Sequence, residues 1–578
     1  MDELRYSGNW EIQGQEYFGN LIIVPKKGII RLVLHDKTDI GSLFYNDEVP
    51  SRIKFIKGNL IPYGYMGLVN CRIIKFNSNI SYSTKTIVLD VEYCINYNFI
   101  DYDDVKFSKM EIRLSNTFVW SSLNGLKTTY KNKTLIIEHK FKDEIKYSVD
   151  RDTTVSFVPY FHENTGLYNS EEVILKQYIK IRITSRKNRD IYFYMDLLKK
   201  IKTLIEIAIG ESIDIREIIG YKRNYYSIIG DKKVFNKINI YSQNSYKDSY
   251  EEPLKHNMLF TLPNIMNNKV KLLDNWFNKY NKLMPILNFY IEILNFEKMS
   301  IERQFLNLFQ ALESYHARFF CEKIDEYEDY INRKYKNKPY ISYLLDKEQL
   351  NNKEYILVKN RVLDLFLTCN VIFFDNGMKM IRFIRSVVNT RHYFTHYGKS
   401  KEVKAINGIN LQEALCILKG LLEYYILIEI GLDCEYCRKT IAQFIGQIRS
   451  SFKELFIGEN NEDLLNKINL NTELVNISKN ICKEYKFGEY ISDMLIDKEQ
   501  EDFNYILETA MGKYYVKIFE KSKTREQCKE FIDGFNKTKK SQCNQPRIYK
   551  ANGKYLFELE YYDTLYNICV FEYKDYNS

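Results

Sequence analysis

The prevailing spacing of apolar residues changes near Val270, and this change limits the fold more than any other feature. Before it, apolar residues alternate with polar ones or form short runs interrupted by Gly and Pro, as in residues 19–36 and 84–100. That pattern is typical of strands in an antiparallel sandwich or barrel. After it, apolar residues recur every three or four positions, as in amphipathic helices. We therefore expect an α+β multidomain chain in which a β-rich part precedes a helical bundle.

Polar segments divide the chain into three predicted domains, at the Pro-containing segment 242–257 and just before the polar connector 458–473. The domains are a β-rich domain with one helix near 195–210 (1–255), an all-α helical bundle (256–455), and a helical linker plus a small α+β domain (456–578). Within the bundle we expect the charged segment 322–338 to be a solvated excursion and Gly431 to cap the last helix. Residues 474–497 are predicted to be helical.

Composition favours a folded protein with reduced cysteines. The 578-residue chain has a formal net charge of +9, which permits an anionic partner but does not require one. Its 11 cysteines are scattered, and the first residues lack the basic-then-apolar pattern of a signal peptide, so we expect a cytoplasmic location. The most apolar long run, 415–432, contains Lys419, Glu423 and Glu429 and is predicted to be a buried helix rather than a membrane span.

Several catalytic and cofactor-binding motifs are absent from the sequence. It contains no G-x-x-x-x-G-K-[ST] or G-x-G-x-x-G loop, no G-x-S-x-G turn and no H-E-x-x-H pair. Cys434 and Cys437 form a single C-x-x-C pair, and no second pair has the spacing of a four-ligand zinc site. We therefore expect no metal and no cofactor.

The helical segment Ile381 to Gly398 carries an arginine among its apolar residues. At about 100° per residue, one face of this helix is apolar. The apolar residues of that face are Phe383, Ile384, Val387, Val388 and Phe394. Arg391 falls in the middle of them, whereas His396 falls on the polar face, in line with Arg385 and Asn389. A buried guanidinium costs several kcal/mol unless it is paired or reaches water, so this helix either packs poorly or lines a site.

Arg391 and His396 are the types of side chain that cleavage of RNA requires. RNA supplies its own nucleophile, the 2′-hydroxyl, so the protein has to transfer protons and neutralise the phosphate. Histidine suits proton transfer near neutral pH, and a guanidinium suits phosphate oxygens. In a straight helix these two side chains are about 140° apart. Either the helix loosens near Thr395, or two copies of the motif meet across a dimer.

Two segments of the predicted bundle resemble a known family. The segment NTRHYFTHY (389–397) resembles the signature of HEPN domains, in which an arginine and a polar residue precede a histidine by a few positions. The segment FLNLFQALESYH (305–316) resembles the earlier helix of the ApeA-like HEPN subgroup. The N-terminal part resembles the domain that accompanies this subgroup, so the resemblance extends from Gly8 to Leu432.

The resemblance implies a metal-independent endoribonuclease of the bacterial anti-phage, abortive-infection kind, with a composite site between two copies of the chain. It implies that Arg391 binds the scissile phosphate, that His396 is the acid/base, and that His392 fills the polar position after the arginine. Glu313 is the candidate to orient Arg391 or His396. The supporting candidates on the polar face are Asn389 and Arg385.

The implied partners are an RNA substrate, with tRNA as one candidate, a phage protein that the N-terminal domain senses as a trigger, and a second copy of the chain. No membrane partner is expected. Two alternatives stay open from the sequence. The bundle is a non-catalytic HEPN module that binds RNA or a nucleotide and signals, or it is a scaffold in which Arg391 forms an ordinary ion pair, for example with Glu313.

Overall fold

The structure is a computed structural model, and it forms two compact units, Met1–Tyr280 and Asn281–Ser578. It describes residues 3–12, 14–36, 52–62, 64–79, 84–164, 174–243, 257–267, 271–296, 298–336, 341–342, 345, 349, 354–374, 377–398, 402, 404–449, 470–496, 503–519, 523–539, 546–561 and 564–573. The domain boundaries predicted at 255/256 and 455/456 lie outside these residues. Among the described residues, no helix combines the length and the apolar character that a membrane crossing requires.

The first unit is built mainly of antiparallel strands. The strands are β1 Leu4–Ile12, β2 Gln15–Val24, β3 Ile29–Asp36, β4 Arg52–Ile61, β5 Tyr65–Asn79, β6 Thr84–Ile95, β7 Lys106–Leu114, β8 Leu126–Lys131, β9 Thr134–His139, β10 Ile145–Ser148, β11 Thr153–Asn164, β12 Ile174–Asp190, β13 Ile215–Tyr221, β14 Tyr226–Ile229, β15 Lys232–Phe235 and β16 Ile238–Ser242. The helices are α1 Thr117–Ser121, α2 Ile191–Ile209 and α3 Leu262–Asn267, and a 3₁₀ turn spans Pro25–Lys27.

Six of these strands close into a barrel. Their order is β6-β3-β2-β1-β4-β5, and β5 also pairs with β6, which closes the ring. Closure removes the unpaired strand edges that an open sheet would expose. The barrel core includes Trp10, Leu21, Leu32, Leu68 and Leu89, all almost fully buried. The predicted β-rich N-terminal domain is thus confirmed, and its closed part is a barrel rather than a sandwich.

The sheet continues beyond the barrel from β6 through β16, β13, β7, β12 and β11 to β10, while β8–β9 and β14–β15 form two separate hairpins. Helix α2 packs on β7 and β12. It begins at Ile191, before the predicted start near 195, because the Asp190 side chain accepts a hydrogen bond from the Phe193 amide and caps it. Gly210, with φ of 78°, ends the helix in the left-handed conformation.

The central region is helical, as predicted. Its helices are α4 Lys271–Asn295, α5 Ile301–Phe319, α6 Tyr327–Lys334, α7 Val358–Phe373, α8 Gly377–His396, α9 Gly408–Ile430 and α10 Cys434–Arg449, with a 3₁₀ turn at Ile324–Glu326. Helix α5 packs against α7, α8 and α9, and α8 packs against α7. Phe305, Phe309 and Leu312 of α5 are fully buried. Gly431 ends α9 with φ of 98°, and its amide donates to the Leu427 and Ile428 carbonyls, which confirms the predicted cap.

The prediction that segment 322–338 is a solvated excursion was wrong. This segment contains α6, whose Tyr327 and Ile331 are buried, and Tyr335 just after the helix is buried as well. The error arose because ten charged residues in 322–338 surround these side chains and mask the short apolar stripe that they form.

The C-terminal region is a small α+β domain, as predicted. Its elements are α11 Leu470–Tyr485, β17 Tyr490–Ile496, β18 Phe503–Thr509, β19 Gly512–Ile518, α12 Arg525–Lys539, β20 Phe557–Tyr561 and β21 Thr564–Glu572. The strands form one sheet in the order β17-β18-β19-β21-β20. The prediction of a helix over 474–497 was wrong after Tyr485, because the left-handed Lys486 and Gly488 turn the chain into β17.

Candidate active site

Helix α8 places the arginine and histidines that the sequence singled out. Phe383, Ile384 and Val387 on its predicted apolar face are almost fully buried, and Phe394 packs edge-on against Phe305 of α5 with 5.9 Å between ring centroids. The neighbouring residue Val388 is half-buried. The apolar face of α8 therefore packs against the rest of the bundle, and Arg391 lies on this packed helix.

The helix stays regular through His396. The Thr395 hydroxyl donates to the Arg391 carbonyl at 2.7 Å, and the Tyr397 amide donates to the Tyr393 carbonyl at 2.6 Å. Tyr397 then adopts a left-handed conformation with φ of 47°, which ends the helix. Of the two arrangements considered from the sequence, a helix that loosens near Thr395 is not the one in this structure. Arg391 and His396 therefore point about 140° apart around one helix.

Arg391 is paired with Glu313 of α5. Its Nη2 lies 3.5 Å from the Glu313 Oε2, and the two side chains are 24% and 19% exposed. Burial is the largest effect on the pKa of Glu313 and raises it, while the charges of Arg391 and Arg361 oppose the rise. The other oxygen, Oε1, is out of contact with solvent and has no hydrogen-bond partner among the described residues. The two residues thus form a partly buried ion pair in which only one of the two Glu313 carboxylate oxygens has a partner among the described residues.

The remaining predicted residues lie around this pair at different depths. His396 is exposed, whereas His392, Asn389 and Arg385 are half-buried. Within the described residues, His396 forms no hydrogen bond or ion pair with Glu313 or Arg391. The structure therefore brings Glu313 and Arg391 together, and places His396 at the exposed end of the same helix.

This arrangement offers a guanidinium for an anion and an imidazole open to a substrate. Among the described residues, no group of three or more His, Cys, Asp or Glu side chains is arranged to hold a metal ion. The C-x-x-C pair lies at the start of α10, where Cys434 is exposed and Cys437 is buried as a free thiol. The Arg391 guanidinium and the exposed His396 imidazole are groups that support anion binding and proton transfer.

A second set of buried polar side chains was missed by the sequence analysis. Asp364 of α7 is fully buried and contacts His316 of α5, whose other ring nitrogen faces Arg361. One signal could have found it, since Asp364 interrupts the apolar run from Val362 to Leu367. A carboxylate in such a run requires partners, and the pattern does not name them.

Two family models match the chain. Residues 5–276 match the model for ApeA N-terminal domain 1, and residues 306–436 match the model for Apea-like HEPN. No curated protein and no solved structure gives a significant match to the chain. The HEPN match contains α7, α8 and α9 and the pair Glu313–Arg391, and the N-terminal match contains the barrel except for Leu4, the first residue of β1. The two matches together cover more than half of the sequence, and the chain belongs to the ApeA-like HEPN family.

Proposed function

We propose that this chain is a metal-independent endoribonuclease of anti-phage, abortive-infection defence. Arg391 binds the scissile phosphate and His396 transfers the proton as the RNA 2′-hydroxyl attacks that phosphate. Membership of a family of HEPN-type defence nucleases supports a nuclease in general. The observation that supports the RNA mechanism is that the last turns of one helix hold the ion-paired guanidinium of Arg391 and the exposed imidazole of His396.

The reaction needs a positive charge beside the phosphate and a group that transfers protons at the 2′-oxygen and the 5′-oxygen. Pairing with Glu313 keeps the Arg391 guanidinium in one place without burying it completely, since it is 24% exposed. Attack by the 2′-hydroxyl gives a pentacoordinate transition state with more negative charge on the phosphate oxygens than the substrate has. A preorganised guanidinium stabilises this transition state more than it stabilises the substrate. His396, which is exposed, can remove the 2′-hydroxyl proton or protonate the leaving 5′-oxygen.

A second copy of the chain supplies the facing half of the site in this proposal. Because α8 is regular, Arg391 and His396 of one chain point about 140° apart and do not converge on one phosphate. In the dimer that we propose, a two-fold axis between the α8 helices brings the Arg391 of one chain beside the His396 of the other. His392, Asn389 and Arg385 lie on the same helix and would line this interface.

Replacement of the histidine tests the proposal. His396→Ala is expected to abolish RNA cleavage and growth inhibition while leaving the thermal unfolding midpoint unchanged, because His396 is exposed and its loss removes no packing. The matched control is His162→Ala, which removes an exposed histidine of β11 in the first unit. Full activity of His396→Ala would remove the proposed acid/base. Tight RNA binding by the wild-type protein without any product would favour the non-catalytic HEPN module instead.

A further inference from the structure

The hairpin β8–β9 of the first unit stands apart from the large sheet. Its two strands pair with each other in a sheet of their own, and every residue from Lys127 to Glu138 is exposed. At its base the His139 ring stacks on Phe161 of β11, with 3.9 Å between ring centroids. A lone hairpin of two strands is marginally stable in water. Apolar residues exposed on such a hairpin therefore point to a binding partner.

One face of this hairpin presents aromatic rings to solvent. Tyr130 and Phe141 are the two most exposed aromatic side chains among the described residues, at 79% and 78%. Tyr130 lies opposite Leu135, and Ile137 and His139 follow on the same face because side chains alternate along a strand. Phe141 packs edge-on against the His139 ring, with 4.6 Å between ring centroids. Leu135 and Phe141 are thus the ends of an apolar stripe that is at most about 20 Å long.

Lysines without carboxylate partners surround this stripe. They are Lys127, Lys131, Lys133, Lys140 and Lys142, and all five are exposed. Within the part of the chain that the structure describes, none of them forms an ion pair, whereas Lys109, Lys180 and Arg182 of the large sheet each contact a glutamate. With five lysines and one acidic residue, Glu138, segment 126–142 has a net charge of +4. The aromatic stripe is therefore bordered by positive charge that is free to meet an anion.

We propose that this face of β8–β9 is a platform that binds a single-stranded segment of RNA. Unpaired bases stack on exposed aromatic rings such as Tyr130 and Phe141, and neighbouring lysines neutralise the phosphates. The lysines favour RNA over a protein partner, because lysine is depleted at protein–protein interfaces. The inference rests on the proposed function in its choice of RNA, and it gives the first unit a part in binding the substrate.

The test measures binding of a 2′-O-methyl RNA of about 12 nucleotides, which lacks the attacking hydroxyl, by fluorescence anisotropy. Tyr130→Ala/Phe141→Ala is expected to bind at least about 10-fold more weakly than the wild-type protein, because the bases lose their stacking partners. Tyr130→Phe/Phe141→Tyr keeps both rings and should bind within about two-fold of the wild type. Lys131→Gln/Lys133→Gln should reduce the slope of log Kd against log salt concentration by about 1.4, since each phosphate contact to a single strand contributes about 0.7.

The matched control is Ile228→Ala in the other separate hairpin, β14–β15. Ile228 is 71% exposed and lies opposite Lys233, so it is an exposed apolar residue beside a lysine without an aromatic ring. This variant should bind the RNA as the wild type does.

Three results would decide between the platform and its alternatives. Wild-type affinity in Tyr130→Ala/Phe141→Ala, or an equal loss in the variant that keeps both rings, would overturn the platform. An equal loss of affinity for polyglutamate would overturn it in favour of an acidic protein partner. Wild-type protein that binds the RNA through these rings but cleaves no unmodified RNA would support the platform and overturn the proposed function.

Discussion

Arg391 is a charged side chain on the apolar face of a helix, and such a side chain must be paired or reach water. The sequence identified this conflict from periodicity alone, and it also named Glu313 as a candidate partner. The structure places the two groups 3.5 Å apart across α5 and α8. The distance could not be derived from the sequence, because it depends on how two helices that are distant along the chain pack.

Also at the scale of the residue, the charge of the Asp364 side chain depends on its surroundings. Burial, the largest effect, raises the pKa of Asp364, but hydrogen bonds from His316 and the charge of Lys334 outweigh it and hold the pKa well below its usual range. A carboxyl whose folded pKa is lowered adds stability above its unfolded pKa of about 3.9, and this stability is lost as the pH falls.

We therefore expect Asp364→Asn to lower the free energy of unfolding at pH 7 by about 3 kcal/mol, since Lys334 is left without its buried partner. The stability of the wild-type protein should also fall more steeply than that of the variant as the pH drops below about 3.9, toward the lowered pKa of the folded state. Urea unfolding at several pH values measures both quantities. Asp329→Asn, at an exposed position of α6, is the control, and equal effects of the two substitutions would contradict the assigned role.

At the scale of the element, helix ends follow from local chemistry. Gly431 ends α9 at φ of 98°, a conformation that an L side chain resists. Gly431→Ala is expected to lower the free energy of unfolding by about 1 kcal/mol. Gly446 lies inside α10 with open space around its missing Cβ, so Gly446→Ala should raise that free energy by about 0.5–1 kcal/mol. Denaturant unfolding of both variants measures the contrast, and a shift of the same sign in both would contradict it.

Elements with strong apolar periodicity could be predicted from the sequence, and short elements within charged segments could not. The faces of α5 and α8 followed from the spacing of Phe305, Phe309, Phe383 and Val387. Helix α6 was missed because one turn of buried residues is shorter than the window that periodicity needs. Strand β17 was taken for the end of a helix because Gly488 was the only local sign of a turn before it.

At the scale of the whole molecule, the fold class and the order of the domains could be predicted from the sequence. The pairing of strands that lie far apart along the chain could not. Nothing local in β6 indicates that it lies between β3, β5 and β16, because pairing depends on residues far apart along the chain. The same limit applies to the candidate site. The sequence could place Arg391 and His396 on opposite sides of a helix, and whether they meet depends on a second chain.

Complementation between two inactive variants tests that dependence. If the Arg391 of one chain acts with the His396 of its partner, a mixture of Arg391→Ala and His396→Ala chains forms heterodimers that each contain one intact site. Random pairing in a two-fold dimer should then restore about a quarter of wild-type cleavage. The assay is cleavage of RNA after co-expression of the two variants, with each variant alone as the control. A mixture as inactive as its components would place the site within one chain.

The chemistry of the cut ends tests the central claim most directly. Purified protein is incubated with total RNA in excess EDTA, and the new ends are mapped for 2′,3′-cyclic phosphate and 5′-hydroxyl groups. Attack by the 2′-hydroxyl with Arg391 on the phosphate and His396 as the acid/base predicts both groups from the wild-type protein and neither from His396→Ala. Ends that carry a 3′-hydroxyl and a 5′-phosphate, or cleavage that EDTA stops, would contradict the account.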